Sequence, residues 1–346
     1  MTMDRDRACV IHGAHDLRVE DVERQPVGTN EVEVAVAVGG ICGSDLSYFL
    51  KGAVGDFRVR EPMVLGHEVV GIVAKTGDGV DPRMVGRRVA INPSRPCGRC
   101  VLCQARRDNI CRDGSFLGSA APFPHVQGGF RERLVIQASQ LVPIPRRLSF
   151  ETAVFAEPLA VAIHALHRAG DPRDRVVIVI GAGPIGALLT LVARHRGCAS
   201  ATVADLRDEP LQTARLVGAT RTVNTSTGDE GLEPGDMVFE ASGTPGGLGT
   251  ALRSVSRGGT VVQVGLLPGI PVPVPGSLIA TTELTLQGSF RFTGAEFQEA
   301  VTLLADGLDV APLLTARIAL NSALEAFTLA SDRAASLKVQ LIVGGR

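Results

Sequence analysis

The fold of the second half of the chain is decided by the stretch Arg175-Val-Val-Ile-Val-Ile-Gly-Ala-Gly-Pro-Ile-Gly186. The residues that follow Arg175 are apolar on both faces, as in the central strand of a parallel sheet. The glycines then match the pattern G-x-G-x-x-G, and Pro184 to His195 has the pattern of a helix. A strand, a glycine-rich turn and a helix in this order are typical of the phosphate-binding corner of a dinucleotide-binding domain.

Each glycine of this turn has a separate physical task. Gly181 permits the tight turn, Gly183 lets a pyrophosphate approach the backbone, and Gly186 allows the helix to pack closely on the strand. The second predicted strand ends at Asp205, an acidic residue suited to the hydroxyls of a ribose. Asp205 would repel a 2′-phosphate, which favours NAD over NADP, and the nearby Arg207 weakens that preference. An ordinary strand–turn–helix without a nucleotide is the alternative interpretation.

The rest of the chain divides into an α/β half and a β-rich half. Apolar patterning predicts further elements on both sides of the glycine turn. The helices are expected at 153–169 and 211–217, and the strands at 201–205, 237–240 and 260–264. This alternation favours a doubly wound α/β domain. The first 150 residues carry short β-rich runs separated by glycines, at 32–38, 69–74 and 88–91, and predict an all-β, barrel-like unit. A final strand within 334–343 is expected to return to that first unit.

Length and charge exclude several classes of protein. The 346 residues correspond to about two domains. Lys and Arg number 35 against 36 Asp and Glu, a formal net charge of −1 that gives no field for binding nucleic acid. The uncharged stretch 176–193 carries Gly181, Pro184 and Gly186 in its middle, which argues against a membrane span. The N-terminus, Met1 to Arg7, lacks the apolar core of a secretory signal, so a cytoplasmic location is expected.

Four of the seven cysteines form a metal-binding pattern. They follow the spacing C-x2-C-x2-C-x7-C, at Cys97, Cys100, Cys103 and Cys111. Disulfides are not expected, because the count is odd and no export signal is present. Four thiolates at this spacing can surround one Zn²⁺ as a closed tetrahedral site, which is structural because no coordination position stays open. A chance cluster of buried cysteines is the alternative.

A second set of metal-ligand residues lies outside this cluster. Cys42 stands in Gly-Ile-Cys-Gly-Ser-Asp, and His67-Glu68 follows Met-Val-Leu-Gly. Each piece alone is compatible with a buried cysteine or a hydrogen-bonded histidine. Together with the four-cysteine loop and the dinucleotide pattern, they predict a zinc with three protein ligands and an open position, the arrangement of a catalytic metal.

These motifs resemble the zinc-dependent medium-chain dehydrogenase/reductase superfamily, in its polyol (sorbitol) dehydrogenase branch. The resemblance covers nearly the whole chain. Within the branch, the matching stretches lie at 39–46, 63–69, 90–94, 118–120, 123–130, 155–164, 288–293 and 338–341. It implies a GroES-like β-rich catalytic domain over 1–151, completed by 293–346. It implies a Rossmann cofactor domain over 152–292. The active site is expected in the cleft between these domains.

The resemblance also implies roles for individual residues. Cys42, His67 and Glu68 would bind the catalytic zinc, and Glu157 would hold the metal-bound water or move onto the metal. The substrate would meet Tyr48, Arg291 and Phe292. Many relatives have a histidine where this chain has Ser47, so Ser44 or water is expected to carry the proton. The coenzyme-binding residues it implies are Gly181, Gly183, Pro184, Ile185, Gly186, Asp205, Arg207, Val264, Gly265, Leu266 and Phe290.

The implied activity is transfer of a hydride from a secondary alcohol of a sugar acid or polyol to NAD or NADP. Within the branch, the matching stretches favour L-idonate as the substrate, with sorbitol, xylitol or galactitol as alternatives. The relatives imply a homotetramer or a homodimer, with no nucleic-acid or membrane partner. Two other classes remain open: a zinc-ribbon module that binds nucleic acid, which the charge balance disfavours, and a non-catalytic binding protein.

Overall fold

The computed structural model of the chain describes residues 5–228 and 231–344. Met1–Asp4, which entered the expectation about export, lie outside the described residues. The chain forms two compact units. The first comprises Met1–Glu157, Phe297–Leu308 and Leu314–Arg346, and the second comprises Pro158–Glu296 and Asp309–Leu313.

The strands are numbered in chain order. They are β1 (Arg5–Gly13), β2 (Asp16–Glu23), β3 (Glu31–Gly40), β4 (Ala53–Val54), β5 (Phe57–Arg58), β6 (Met63–Val64), β7 (Glu68–Thr76), β8 (Arg88–Ile91), β9 (Ser94–Arg95), β10 (Ser115–Phe116), β11 (Arg133–Gln137), β12 (Leu141–Pro143), β13 (Val176–Ile180), β14 (Ser200–Asp205), β15 (Arg221–Asn224), β16 (Gly235–Glu240), β17 (Val255–Gln263), β18 (Thr285–Gly288), β19 (Leu314–Ala319) and β20 (Lys338–Ile342).

The α-helices are numbered in the same way. They are α1 (Gly43–Lys51), α2 (Val101–Gln104), α3 (Phe150–Ala153), α4 (Ala156–Ala169), α5 (Pro184–His195), α6 (Asp208–Leu216), α7 (Pro245–Arg253), α8 (Gly276–Thr282), α9 (Gly294–Ala305) and α10 (Ala323–Ser331).

The first unit is built on a mostly antiparallel sheet with the order β12-β8-β7-β3-β20-β19, and β11 also pairs with β3. Val32, Val34 and Val36 of β3 are buried and alternate with half-buried residues, which confirms the predicted strand. Strand β20 runs antiparallel to β3 with Gln340 opposite Gly40, which confirms the predicted return of the tail. This sheet carries a large apolar core.

The second unit contains a parallel sheet with the order β15-β14-β13-β16-β17-β18. The chain winds outward from β13 through β14 to β15, and then from β16 through β17 to β18. The doubly wound prediction is therefore confirmed, and the point where the winding direction reverses lies between β13 and β16. Strand β13 is almost fully buried, as its apolar sequence predicts.

Two helices start three residues away from the predicted positions: α6 begins at Asp208 and not at 211, and α4 begins at Ala156 and not at 153. The pattern over 153–169 predicted one helix; α4 covers 156–169 of it, while Ala153 is the last residue of α3. Pro158 has no N–H to donate to the carbonyl of Val154, so a single helix cannot run through both residues. The chain instead begins α4 afresh with Pro158 in its first turn, where the missing donor costs nothing.

No helix in the described ranges combines the length and the apolar character that a membrane crossing requires. The apolar stretch 176–193 forms strand β13, the glycine turn and most of α5 instead.

A buried carboxylate fixes the start of α9 in the second unit. Glu296 accepts hydrogen bonds from Nδ1 of His164 (2.9 Å), from Nδ1 of His167 (2.9 Å) and from the backbone N–H of Thr293 (2.8 Å). Burial alone would raise the pKa of Glu296, but these donors outweigh burial and hold the pKa well below its usual range. The ionised carboxylate therefore stabilises the contact between α4 and the first turn of α9.

We expect Glu296→Gln to lower the free energy of unfolding by about 2 kcal/mol at pH 7, since hydrogen bonds to a charged group are lost. Because the folded pKa lies below the unfolded value, this stabilisation is complete above about pH 5 and decreases as the pH falls. Urea unfolding between pH 7 and pH 4 should show a steeper loss for the wild type than for the variant. Glu325→Gln, on the exposed side of α10, is the matched control. Parallel pH profiles for the wild type and Glu296→Gln would contradict the assignment.

Candidate active site

The four-cysteine loop brings its sulfur atoms together. The Sγ atoms of Cys97, Cys100, Cys103 and Cys111 all lie within 4.8 Å of one another, and none of these cysteines forms a disulfide. The antiparallel pair β9–β10 closes the loop at its base. Gly98 turns the chain with φ = +72°, a left-handed conformation that favours glycine.

Backbone donors favour thiolates in this loop. The backbone N–H of Cys103 lowers the pKa of the Cys100 thiol to about 6, whereas burial raises the pKa of Cys103 to about 12. Four sulfurs at this separation cannot all ionise without a cation between them, because like charges repel. The donor set therefore fits a Zn²⁺ held by four thiolates.

The second set of ligand residues is assembled by strand pairing in the first unit. Strand β3 ends at Gly40, and Cys42 follows at the N-terminus of α1. The β3–β7 register places Gly40 opposite Glu68, next to His67. As a result, one donor atom each from Cys42, His67 and Glu68 lies within 4.8 Å of the other two. A thiolate, an imidazole and a carboxylate at this spacing can hold one divalent ion.

Asp45 supports this set, a role that was not predicted from the sequence. Its Oδ2 accepts a hydrogen bond from the N–H of Cys42 (2.9 Å), and its Oδ1 accepts one from the N–H of Gly66 (3.3 Å). The same Oδ1 lies 3.8 Å from Nδ1 of His67. Asp45 is fully buried and therefore fixes both segments that carry ligands. The signal in the sequence was its position three residues after Cys42, where an acidic side chain caps a helix.

Lys338 also belongs to the site and was missed as a site residue. Its ammonium lies 2.5 Å from both carboxylate oxygens of Glu68 and donates to the carbonyl of Ile41 (3.0 Å). Burial alone would lower the pKa of Lys338, but the carboxylate of Glu68 raises it above the ordinary value. A side chain at position 40 would occupy the space of this pair, since a Cβ there would lie 3.2 Å from Cε of Lys338. Gly40 is therefore required by the ion pair.

The buried charges around Cys42, His67 and Glu68 are mostly negative, which favours a bound cation. Asp45, Glu68 and Glu157 are buried acids, and burial raises the pKa of Glu157 to about 7 against the opposing effect of His67. Among the described residues, Oε2 of Glu68 receives no well-aligned hydrogen bond, despite its ion pair with Lys338. Three buried carboxylates beside a cysteine and a histidine, opposed by the ammonium of Lys338, fit a bound divalent cation.

The glycine turn has the conformation that its sequence predicts. Gly181 has φ = +100°, and a Cβ at position 186 would collide with the carbonyl of Gly181. Gly183 faces open space, so a phosphate can approach its backbone at the N-terminus of α5. Asp205 accepts hydrogen bonds from the N–H of Ala182 (2.8 Å) and of Arg207 (3.1 Å), which places it beside the turn. These features fit a dinucleotide.

The residues assigned to substrate lie in both units. In the first, the hydroxyl of the buried Tyr48 accepts a hydrogen bond from the N–H of Ala120 (3.0 Å), and Ser44 is half-buried on α1. In the second, Arg291 has φ = +54° and its guanidinium lies 4.8 Å from the ring centre of Phe290. Phe292 is only 1 % exposed. Their contacts with substrate stay a prediction.

The other predicted coenzyme residues lie at the carboxyl end of the parallel sheet. Val264 and Gly265 follow β17, and the backbone N–H of each donates to the carbonyl of Glu240 (2.9 Å). Leu266 and Phe290 are exposed, with 67 % and 46 % of their surfaces accessible. Pro184 and Ile185 form the first turn of α5.

Comparison with known proteins identifies the family. Residues 28–146 match the alcohol dehydrogenase GroES-like domain, and residues 184–306 match the zinc-binding dehydrogenase family. The chain is 39 % identical to L-idonate 5-dehydrogenase (NAD(P)(+)) of Escherichia coli, over 98 % of this chain and 99 % of that protein.

The chain belongs to the zinc-binding alcohol dehydrogenases. This dehydrogenase is also 33 % identical to the sorbitol dehydrogenase of Bacillus subtilis, over 92 % of each protein. Its fold superposes on the crystal structure of L-idonate 5-dehydrogenase from E. coli with a TM-score of 0.91 and 38 % identity, covering 99 % of each chain. The family resemblance seen in the motifs is thus confirmed: the protein is a zinc- and NAD(P)-dependent dehydrogenase of the polyol and sugar-acid group.

We expect metal analysis to find two zinc ions per chain and Cys42→Ser to retain one while losing dehydrogenase activity. Cys103→Ser should also retain one and should unfold at a lower temperature, because the loop between β9 and β10 loses its cross-link. The buried Cys198, outside both sets, provides the control variant Cys198→Ser, which should keep both ions. Two zinc ions in Cys42→Ser would contradict the ligand assignment.

Proposed function

We propose that this dehydrogenase oxidises the hydroxyl at C5 of L-idonate to a ketone, which gives 5-keto-D-gluconate, with NAD or NADP as the acceptor. The observation that carries the reaction type is the convergence of Cys42, His67 and Glu68 in a unit of zinc-binding dehydrogenase type. The choice of L-idonate is supported by the 39 % identity to the E. coli enzyme over nearly the full length of both chains.

Two zinc sites are part of this proposal. Cys42, His67 and Glu68 would hold the catalytic ion together with Glu157, and the four cysteines of the 97–111 loop would hold a structural ion. When bound at the first set, zinc supplies a Lewis acid that stabilises negative charge on an alcohol oxygen. Asp45 keeps the two ligand-bearing segments in place, and Lys338 fixes the orientation of Glu68 through their ion pair.

The proton of the substrate hydroxyl needs an acceptor on this chain. Glu157 is a buried carboxyl group that interacts with His67 and Glu68, and we assign to it the first acceptance of this proton. Ser47, at the position where many relatives carry a histidine, donates its hydroxyl to the carbonyl of Gly43 (2.9 Å) and is thereby occupied. We assign the further transfer of the proton from Glu157 to Ser44 or to water that reaches bulk solvent.

The coenzyme would bind along the carboxyl end of the parallel sheet. It supplies the acceptor for the two electrons that leave the substrate carbon. Gly181, Gly183 and Gly186 with the N-terminus of α5 would take the pyrophosphate, and Asp205 the adenosine ribose. Asp205 favours NAD over NADP, and Arg207 moderates this preference. We further propose a homotetramer or homodimer in the cytoplasm, as in polyol dehydrogenases.

A substrate panel tests the proposed reaction. We expect kcat/KM for L-idonate to exceed that for sorbitol, xylitol and galactitol by at least about tenfold, because only the acid offers a carboxylate to a guanidinium. The measurement is the initial rate of NADH or NADPH formation with each coenzyme. A higher kcat/KM for sorbitol than for L-idonate would replace the proposal by its alternative, a polyol dehydrogenase.

Arg291 is the residue we assign to the carboxylate of the substrate. It follows β18 at the carboxyl end of the parallel sheet, and its guanidinium lies 4.8 Å from the ring centre of Phe290. Arg291→Ala should lower kcat/KM for L-idonate by about 10- to 100-fold and that for sorbitol much less. Arg291→Lys should recover part of the loss, and Arg257→Ala, at an exposed position of the same unit, serves as the control. If kcat/KM fell equally for both substrates, Arg291 would act through coenzyme binding or through the stability of the fold, and not through the carboxylate of the substrate.

A further inference from the structure

Glu240, at the end of β16, is a fully buried carboxylate that the proposed reaction does not use. Its Oε1 accepts hydrogen bonds from the N–H of Ser242 (2.8 Å), from the hydroxyl of Ser242 and from the N–H of Gly243 (3.1 Å). Its Oε2 accepts one from the side-chain amide of Gln263 (2.5 Å). Both oxygens face donors, which is the environment of an ionised carboxylate.

The negative charge of Glu240 has no cationic partner within the described ranges. Its hydrogen-bond donors are two backbone N–H groups, one hydroxyl and one amide, and it forms no ion pair with a basic side chain of residues 5–228 or 231–344. Neutral donors stabilise the charge without cancelling its field. In a buried position this field is weakly screened by solvent and salt.

Glu240 holds two loops at the carboxyl end of the sheet. Its side chain binds the loop after β16, and its backbone carbonyl accepts from Val264 and Gly265 in the loop after β17 (2.9 Å each). Two glycines make room for the carboxylate: a Cβ at Gly247 would lie 2.6 Å from Oε1, and a Cβ at Gly265 would lie 2.8 Å from Oε2. The carboxylate is therefore closely packed, together with Ser242 and Gly243, whose atoms lie nearer still to those two Cβ positions.

The same loop contacts the glycine turn. A Cβ at Gly181 would lie 2.8 Å from the backbone nitrogen of Ser242, so the two segments touch across the gap between β13 and β16. That gap is the point where the winding of the sheet reverses, and dinucleotides bind there in doubly wound sheets. Glu240 therefore lies beneath the coenzyme-binding edge of the second unit.

The sheet order also indicates which half of the coenzyme comes nearest to Glu240. Asp205 ends β14, on one side of β13, and suits the adenosine ribose, while the pyrophosphate belongs at the glycine turn. The remaining half of a dinucleotide must then extend to the other side, over the ends of β16 and β17. Glu240 and Gln263 are the last residues of those two strands.

We propose that Glu240 is a positioning residue whose buried charge strengthens binding of the oxidised coenzyme relative to the reduced coenzyme. The nicotinamide ring carries one positive charge when oxidised and none when reduced, so a fixed carboxylate nearby interacts differently with the two forms. The inference rests on coenzyme binding by this family and is independent of L-idonate as the substrate.

The test compares Glu240→Gln with the wild type in the zinc-loaded protein without substrate. We expect the Kd for NAD⁺ to rise by about three- to tenfold and the Kd for NADH to change by less than about twofold. Calorimetry gives the first constant and NADH fluorescence the second. Glu233→Gln, which removes an exposed carboxylate of the same unit, should leave both constants unchanged.

A purely structural role for Glu240 predicts a different result. If the side chain only held the loops, both dissociation constants would rise by the same factor, and that outcome would overturn the proposal, as would no change in either. Gln263→Lys provides a second route, because an ammonium against Oε2 neutralises the charge and leaves the carboxylate in place. This variant should also raise the Kd for NAD⁺ more than the Kd for NADH. If Glu240→Gln does not show a cooperative thermal transition, Gln263→Lys alone tests the inference. An unchanged ratio of the Kd for NAD⁺ to the Kd for NADH in Gln263→Lys would then overturn it.

Discussion

The pairing of β3 with both β7 and β20 is the constraint on which the first unit and its site depend. One register places Gly40 opposite Glu68, and the other places Gly40 opposite Gln340, two residues from Lys338. The chain thus brings a carboxylate and an ammonium, 270 positions apart, into contact beside Cys42. Because side chains alternate across a strand, a shift of either register by one residue would turn these groups to opposite faces.

Burial decides the chemistry of this cluster. Asp45, Glu68 and Glu157 are acids removed from water, opposed by Lys338 and His67, and an unpaired buried charge is strongly destabilising. The site meets this cost by hydrogen bonds to backbone N–H groups, by the ion pair and by a donor set suited to a divalent cation. In the second unit the donors to Glu240 within the described ranges are all neutral, so no basic side chain there cancels its charge.

Much of the fold and part of the site followed from local sequence patterns. The alternation over Val32–Val38, the apolar run before Gly181 and the helix from Pro184 to His195 all appear in the structure with nearly their predicted bounds. The two groups of residues that spacing and residue type predicted as metal ligands each converge in the structure. The roles of Lys338 and Glu240 were not predicted, because acids and lysines are common on surfaces and their burial cannot be read from their neighbours in sequence. The position of Asp45 after Cys42 indicates a helix cap but not its burial.

The sequence by itself determined the elements and the family, because periodicity, glycine conformations and cysteine spacing act over a few residues at a time. Only the tertiary structure decided which charges meet. The ion pair of Lys338 with Glu68 requires the last strand to lie beside the third, and the contacts of Glu240 require the ends of β16 and β17 to be neighbours. Such contacts arise from strand order and register, which are properties of the whole folded chain rather than of any segment.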